Sequence, residues 1–216
     1  MSIGMILLIV IALLVLFGVL QRVLDRMALT DRQAIAITAA IFAGGWLPDI
    51  RLGILSVNIG GALVPLIVCL YLLIHTKTWK ERLRCLLASA LSAVGVWLIS
   101  RLFPSDPTAM PFDPLILYGI PAGLIAWIFG RSRRSAFVAG ILGVILADLA
   151  AGFVNIANGI RQTMYLGGAG ALDAVVLSGV TAVLLCELFG ETMERIACSR
   201  AGSARAGKDA EGGLQI

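Results

Sequence analysis

Two aspartates, Asp148 and Asp173, interrupt long apolar segments of the sequence. A charged side chain is costly inside a membrane and, where it occurs there, usually marks a binding, transport or catalytic site. Asp148 shares a helix face with Gly152 and Asn155, which follow it by four and seven positions. Two facing carboxylates in apolar surroundings would share one proton. Such a pair could hydrolyse a peptide, with one carboxylate activating water and the other polarising the carbonyl, or it could bind and release a proton or a cation.

The position of each aspartate in its segment predicts that the two meet. Asp148 lies nine residues before Ala157, which is about 13 Å along a helix, and Asp173 lies six residues after Gly167, which is about 9 Å. The two segments are consecutive and antiparallel, so we expect both carboxylates at a similar depth. A structural alternative remains, in which each aspartate is hydrogen-bonded to Asn58, to Arg51 or to a backbone amide and only fixes helix register.

The composition predicts an all-α, polytopic integral membrane protein. Hydrophobic residues make up 59% of the chain and charged residues only 14%, with a mean hydropathy of +0.97. Soluble domains carry about 25% charged residues, so soluble enzymes, disordered chains and small disulfide scaffolds are excluded. The net charge of +4 does not indicate nucleic-acid binding, because basic residues in such a chain act as topology signals and contact anionic headgroups of the lipid bilayer.

Seven apolar segments are predicted to cross the membrane as helices. A membrane-spanning helix needs about 20 apolar residues. The second segment is short, and Thr30 to Gln33 reads as a capping box that would start its helix. That start leaves about 17 residues before Pro48, or about 25 Å, with a re-entrant hairpin as the alternative. The predicted spans are Ser2–Leu20, Ala34–Leu47, Ile54–His75, Cys85–Phe103, Leu115–Gly130, Ala136–Ala157 and Gly167–Gly190.

Basic residues in the connecting segments predict the orientation of the chain. From the first loop to the tail they number 3, 1, 4, 0, 3, 1 and 4. Cytoplasmic loops are enriched in lysine and arginine, so the N-terminus is expected outside and the C-terminus in the cytoplasm. This alternation favours seven crossings over a re-entrant second segment. We therefore predict a transmembrane domain over residues 1–190 and a short disordered cytoplasmic tail over residues 191–216.

Glycine-rich stretches predict close helix contacts or substrate contacts near the aspartates. Asn58, Gly60, Gly61 and Pro65 fall in the third span, where glycines and proline indicate a kink or a close approach. Breaks of this kind often line sites in membrane proteins. Before Asp173, Gly168 and Gly170 are expected to act in the same way, as is Asn155 in the sixth span. Tyr118, by contrast, is interpreted as an aromatic residue of the membrane interface without a ligand role.

No motif in the sequence predicts a metal site or a cofactor. The zinc-protease motif HExxH is absent, as are a phosphate-binding loop and a dinucleotide fingerprint. The serine at Ser178 lacks the context of a nucleophile elbow, and the only histidine is expected on the other side of the membrane. We therefore expect no metal and no cofactor.

Three segments carry a resemblance to a known family: Asn58–Pro65, Gly143–Asp148 and Gly167–Gly179. Together they resemble an uncharacterised family of prokaryotic multi-pass membrane proteins, which is known only as a domain of unknown function. This resemblance implies a multi-pass protein of the prokaryotic plasma (inner) membrane. It implies no activity.

A more distant resemblance is to intramembrane aspartyl proteases of the presenilin, signal peptide peptidase and prepilin peptidase type. Those enzymes carry one aspartate after tyrosine and a second in a Gly-x-Gly-Asp motif. Gly170 and Asp173 match the second motif, whereas Leu172 stands where those enzymes have glycine. Asp148 follows Ala147, so it matches the first motif only at the aspartate, and no helix follows to carry their Pro-Ala-Leu motif. The resemblance implies catalysis by Asp148 and Asp173 on a transmembrane peptide substrate.

Three functions therefore remain open on sequence alone. The first is an intramembrane aspartyl protease-like enzyme that cleaves transmembrane or signal segments with an Asp148/Asp173 dyad. The second is a small proton- or cation-coupled transporter or channel that uses the same carboxylates, and the third is a non-enzymatic membrane assembly protein. Transporters often contain an internal repeat. No inverted repeat is evident and seven spans divide unevenly, which counts against the second function.

Overall fold

The structure, a computed structural model, describes residues 17–25, 27, 29–76, 78–102, 114–130, 132–160 and 162–189. Within these residues the fold is mostly helical, and two helices, α4 and α6, are long and apolar enough to cross a membrane. Most of the predicted span Ser2–Leu20 and the whole predicted tail over residues 191–216 lie outside the described residues. The helices in the described residues are α1 (17–25), α2 (Asp31–Gly45), α3 (Val64–Ile74), α4 (Trp79–Leu102), α5 (Pro114–Gly130), α6 (Arg133–Ala157) and α7 (Ala174–Phe189).

Helix α2 begins where the sequence predicts. The Gln33 backbone N–H donates to the Thr30 hydroxyl at 3.4 Å, and the Thr30 backbone N–H donates to the Gln33 side chain at 3.0 Å. This reciprocal pair is the capping box that the sequence predicted, and it satisfies two backbone donors at the helix start. The helix ends at Gly45, shortly before Pro48.

A small three-stranded sheet closes one end of the helices, which we call the sheet end. Strands β1 (Ile50–Leu52) and β2 (Leu55–Val57) form an antiparallel hairpin whose turn includes Gly53 at φ +67°. Strand β3 (Met164–Leu166) pairs in parallel with β2. The sheet therefore joins two parts of the chain that lie far apart in sequence.

The predicted third helix over Ile54–His75 is wrong at its start. Its first residues form β2, and a π-helical turn at Ile59–Leu63 then leads into α3, which ends at Ile74. A short apolar run with β-branched residues suits a strand as well as a helix, so periodicity alone cannot separate the two. Here the pairing with β3 selects the strand.

The predicted seventh helix over Gly167–Gly190 also begins later than expected. Gly167 and Gly170 have φ values of +69° and +65°, in the left-handed region that side chains disfavour. A 3-10 turn at Gly170–Leu172 follows, and α7 begins at Ala174. The glycines that precede Asp173 therefore form an irregular connection rather than a helix.

Glycines allow the two irregular segments to touch through their backbones. A β-carbon on Gly60 would overlap the Ile41 carbonyl oxygen of α2, and one on Gly61 would overlap the Gly167 carbonyl oxygen. Gly170 packs on Gly45, with 3.1 Å between a built β-carbon and the Gly45 α-carbon. The predicted close contacts at Gly60, Gly61 and Gly170 are thus present. Gly168 differs, because it is exposed and faces only the Tyr165 side chain.

Helix α6 lies at the centre of the bundle and packs against α4 and α5. Its small residues permit close approach, as the sequence predicted: Gly140 lies against the Ser178 backbone of α7, and Gly143 lies against Ser92 of α4. At the end opposite the sheet, Arg133 and Glu187 form a loose ion pair at 3.9 Å between the start of α6 and the end of α7. Close packing of α6 with α7 fixes where the two aspartates stand.

Candidate functional site

Asp148 projects from α6 about two thirds of the way along the helix, toward the sheet end. It is neither fully buried nor exposed, and Val144 and Gly152 lie one turn before and after it. Within the described part of the chain, no donor forms a hydrogen bond with its carboxylate. A carboxylate in this position is available to a ligand or to water.

Asp173 stands just before α7 and caps it. Its Oδ1 accepts a hydrogen bond from the Val175 backbone N–H at 2.9 Å, and its Oδ2 accepts one from the Ala169 backbone N–H at 3.1 Å. Aspartate is a preferred residue at this position because it satisfies donors that the first helical turn leaves free. The prediction that Asp173 lies inside a helix is therefore wrong, and its bonds to backbone amides match the structural alternative.

Both aspartates nevertheless border one cavity of about 310 Å³, which we call the carboxylate cavity. Two carboxylates that border the same space repel each other when both are ionised. The structure thus brings together the two aspartates that the sequence singled out, on neighbouring elements. The residues that line this cavity are Leu115, Tyr118, Val144, Asp148, Ala169, Asp173 and Ala174.

Tyr118 of α5 is a residue that sequence reasoning missed. Its position near one end of an apolar segment led to its interpretation as an interfacial residue, but its side chain lines the carboxylate cavity close to Asp148. One turn further along α5, Gly123 packs against Ser178 and Thr181 of α7, and Gly119 packs against Leu177. Through these contacts α5 and α7 pack closely along the part of α5 that follows Tyr118. No sequence signal separates this tyrosine from one at a membrane interface.

A second cavity of about 150 Å³, which we call the loop cavity, also borders Asp148. Asn155 borders it, so the helix face that Asp148 was predicted to share with Gly152 and Asn155 lines a common space. Gly152 also borders it, and the Met164 side chain packs directly against this glycine. Its lining residues are Asp148, Ala151, Gly152, Asn155, Gln162, Thr163, Met164 and Tyr165.

Asn58 belongs to a separate polar cluster at the sheet end. Its amide donates to Asp49 Oδ1 at 2.9 Å, and its side-chain oxygen accepts from the Gly61 backbone N–H at 2.9 Å. The Ser56 hydroxyl donates to Asp49 Oδ2 at 3.1 Å. Asn58 therefore caps the π-helical turn and holds it to the residues after α2, while Pro65 lies buried in the first turn of α3. Neither residue lines the carboxylate cavity.

The chain belongs to a family whose model carries the description Protein of unknown function (DUF1614), which matches residues 27–185. This finding confirms the resemblance to an uncharacterised family. The matched range includes both aspartates and the whole sheet. Comparisons with curated proteins and with solved structures give no match.

Proposed function

We propose that this chain is a multi-pass protein of a prokaryotic plasma membrane, with seven crossings, the N-terminus outside and the C-terminus in the cytoplasm. The alternation of basic residues supports this topology. Exposed apolar side chains on α3, α4 and α5, such as Ile67, Leu87 and Ile128, suit contact with lipid. Helices α5 and α7 have 17 and 16 residues, or about 25 Å, so the irregular segments of the sheet end supply the remaining thickness.

Within that membrane we propose that the protein is a proton- or cation-coupled transporter whose coupling site is the carboxylate cavity. The observation that carries this proposal is that Asp148, without a hydrogen-bond donor in the described residues, faces the charge of Asp173 across one cavity. Two carboxylates in such a space need a positive partner, and a proton or a cation supplies it. When the proton or cation leaves, the two carboxylates repel each other again. This repulsion pushes α6 and the start of α7 apart, so binding and release are coupled to movement of these helices.

The state of Asp173 favours binding over hydrolysis. An aspartyl hydrolase needs two carboxylates that share a proton and a water, with both groups directed at the scissile bond. Here both oxygens of Asp173 accept backbone N–H groups of Ala169 and Val175. These bonds favour the ionised form of the Asp173 carboxylate at the N-terminus of α7, where the helix dipole also favours negative charge. In this proposal, Asp173 is held by its backbone hydrogen bonds, and Asp148 is the group that changes partner.

An internal similarity within the chain also supports transport. Strands β2 and β3 pair in parallel with Leu55 opposite Met164 and Val57 opposite Leu166. At the same spacing after each strand the sequence reads Gly-Ala-Leu, at Gly61–Leu63 and at Gly170–Leu172. Each strand then leads into a helix, α3 or α7, and in the described part of the chain three helices precede α4 while three follow it. Parallel repeats also occur in transporters, and interrupted helices line many of their binding sites.

Ion-driven proton movement tests this proposal directly. Purified protein is placed in vesicles that contain a pH-sensitive dye, and NaCl, KCl or tetramethylammonium chloride is added outside. We expect the vesicle interior to become alkaline as protons leave in exchange for the cation, and we expect Asp148→Asn to abolish this signal. Asp31→Asn, which changes an exposed carboxylate in the first turn of α2, is the matched control and should retain it. Equal signals from wild-type, D148N and empty vesicles would contradict the transport proposal.

An intramembrane aspartyl protease remains the second candidate, because two carboxylates border one cavity. It predicts cleavage of a reconstituted transmembrane or signal peptide that is lost in both Asp148→Asn and Asp173→Asn. Cleavage that needs both aspartates, without ion-driven proton movement, would favour this enzyme over the transporter.

A further inference from the structure

The wall of the carboxylate cavity is mostly hydrocarbon. Apart from the two aspartates, its side chains are those of Leu115, Val144, Tyr118 and two alanines. At about 310 Å³ it is at the small end of ligand pockets, which run from about 300 to 1,000 Å³. A ligand that fills it must therefore combine one or more positive charges with an apolar body of a few carbon atoms.

A bare metal ion fits this wall poorly. Hard cations such as Ca²⁺ and Mg²⁺ take about six to eight oxygen ligands at close range. Both oxygens of Asp173 already accept backbone N–H groups, and the described wall adds only the Asp148 carboxylate and the Tyr118 hydroxyl. The apolar side chains of Leu115 and Val144 would face such an ion without solvating it.

We propose that the carboxylate cavity binds a small alkylammonium group, with its charged end at Asp148 and its carbon chain against Leu115 and Val144. This inference rests on the proposed function and names its cation. Tyr118 borders the same space, and an aromatic ring attracts an ammonium group through its negative face. Asp173, which borders the same cavity, adds a second carboxylate that attracts the ammonium group.

The loop cavity gives the ligand a route to this position. It shares Asp148 with the carboxylate cavity and extends to Gln162 and Thr163, which are exposed in the loop after α6. Asn155 and the loop side chains make this route polar, so a hydrated ammonium ion can lose its water there in steps. Asp148 borders both cavities, so an ion that enters through the loop cavity reaches its carboxylate.

An alkylammonium group has two sources in the cell: a free amine, or the ethanolamine headgroup of a phospholipid. The experiment therefore begins with protein in a detergent free of phosphatidylethanolamine. Binding of n-propylammonium, tetramethylammonium, Na⁺ and K⁺ is measured by calorimetry, with n-propanol as the uncharged analogue of the first. We expect n-propylammonium to bind and n-propanol not to bind.

Variants identify the groups that hold the ligand. Asp148→Asn should weaken n-propylammonium binding at least about tenfold, because one full charge partner is lost. Tyr118→Leu should weaken it by about 3- to 30-fold, whereas Tyr118→Phe should keep it close to wild type because the ring remains. Asp31→Asn, the matched control, should bind as wild type. Circular dichroism of each variant checks that the fold is retained.

The outcomes separate this inference from the proposed function. If Na⁺ or K⁺ binds in an Asp148-dependent way and no ammonium ion does, the inference is overturned and the transport proposal stands. If neither class binds and no proton movement occurs, both are overturned. Equal loss in Tyr118→Phe and Tyr118→Leu would overturn the role of the ring. In nanodiscs, competition of phosphatidylethanolamine with n-propylammonium would identify the lipid headgroup as the source, and no competition would identify a free amine.

Discussion

A substitution at Gly61 tests how tightly the irregular segment before α7 packs against the π-helical turn. In Gly61→Ala, the new methyl group would overlap the Gly167 carbonyl oxygen and would lie 2.8 Å from the Gly170 carbonyl oxygen. Both neighbours are backbone atoms, so no side chain can rotate away and the segment 167–173 must move. We therefore expect G61A to destabilise the protein and to shift Asp173 relative to Asp148.

The expected cost of G61A follows from two effects. Insertion of a methyl group into a packed contact costs about 1–3 kcal/mol. Movement of β3 also stretches the hydrogen bond from the Asn58 backbone N–H to the Leu166 carbonyl oxygen, now 2.9 Å, and its loss costs about 1 kcal/mol. Together these effects predict a fall of about 2–4 kcal/mol in the free energy of unfolding.

Denaturation by sodium dodecyl sulfate from mild detergent, followed by circular dichroism, measures this free energy. Gly18→Ala is the matched control, because Gly18 lies in α1 with open space around its α-carbon. Alanine suits a helix better than glycine, so G18A should leave stability unchanged or raise it by up to about 1 kcal/mol. If G61A unfolds within about 0.5 kcal/mol of wild type, the backbone crossing of Gly61 and Gly167 is not as tight as described.

Three further substitutions test other contacts, each by the same denaturation assay. Asp173→Ala should lower stability by about 0.5–2 kcal/mol through loss of the α7 cap, whereas Asp173→Asn should lose less, because its amide oxygen still accepts from the Val175 N–H although its NH2 group cannot accept from the Ala169 N–H; equal losses would contradict the capping role. Gly152→Ala should destabilise by about 1–3 kcal/mol because Met164 lies on that glycine, and adding Met164→Ala should recover part of the loss, so a purely additive double variant would speak against this contact. Asn58→Ala should cost about 2–3 kcal/mol because the Gly61 N–H and Asp49 both lose a partner, and a neutral result would show that water replaces the amide.

Local sequence signals predicted local structure well. The capping box at Thr30 and Gln33 places the start of α2, because all of its partners lie within four residues of one another. The small residues of α6 likewise predicted close helix packing, which Gly140 and Gly143 make with α7 and α4. In both cases the physical cause is contained in one short stretch of chain, so no knowledge of the fold is needed.

The beginnings of α3 and α7 required the tertiary structure. Both follow strands that pair with each other, and the partners Val57 and Leu166 are distant in sequence. An apolar run carries no sign of such a partner, so helix was the natural interpretation for residues that are strand or irregular chain. The displaced start of α7 also turned Asp173 from a residue within a helix into the cap of that helix.

Composition and the spacing of charges by themselves determined that the chain is a helical protein with apolar helices, and they singled out Asp148 and Asp173 as unusual. Both signals arise from the cost of placing charge in an apolar medium, which acts on every residue independently of its neighbours in space. Only the tertiary structure decided that the two aspartates border one cavity and that Tyr118 lines the same cavity. It also decided that the carboxylate of Asp173 accepts hydrogen bonds from backbone amides. These depend on how α5, α6 and the segment before α7 pack, and glycine contacts between distant backbones fix that packing.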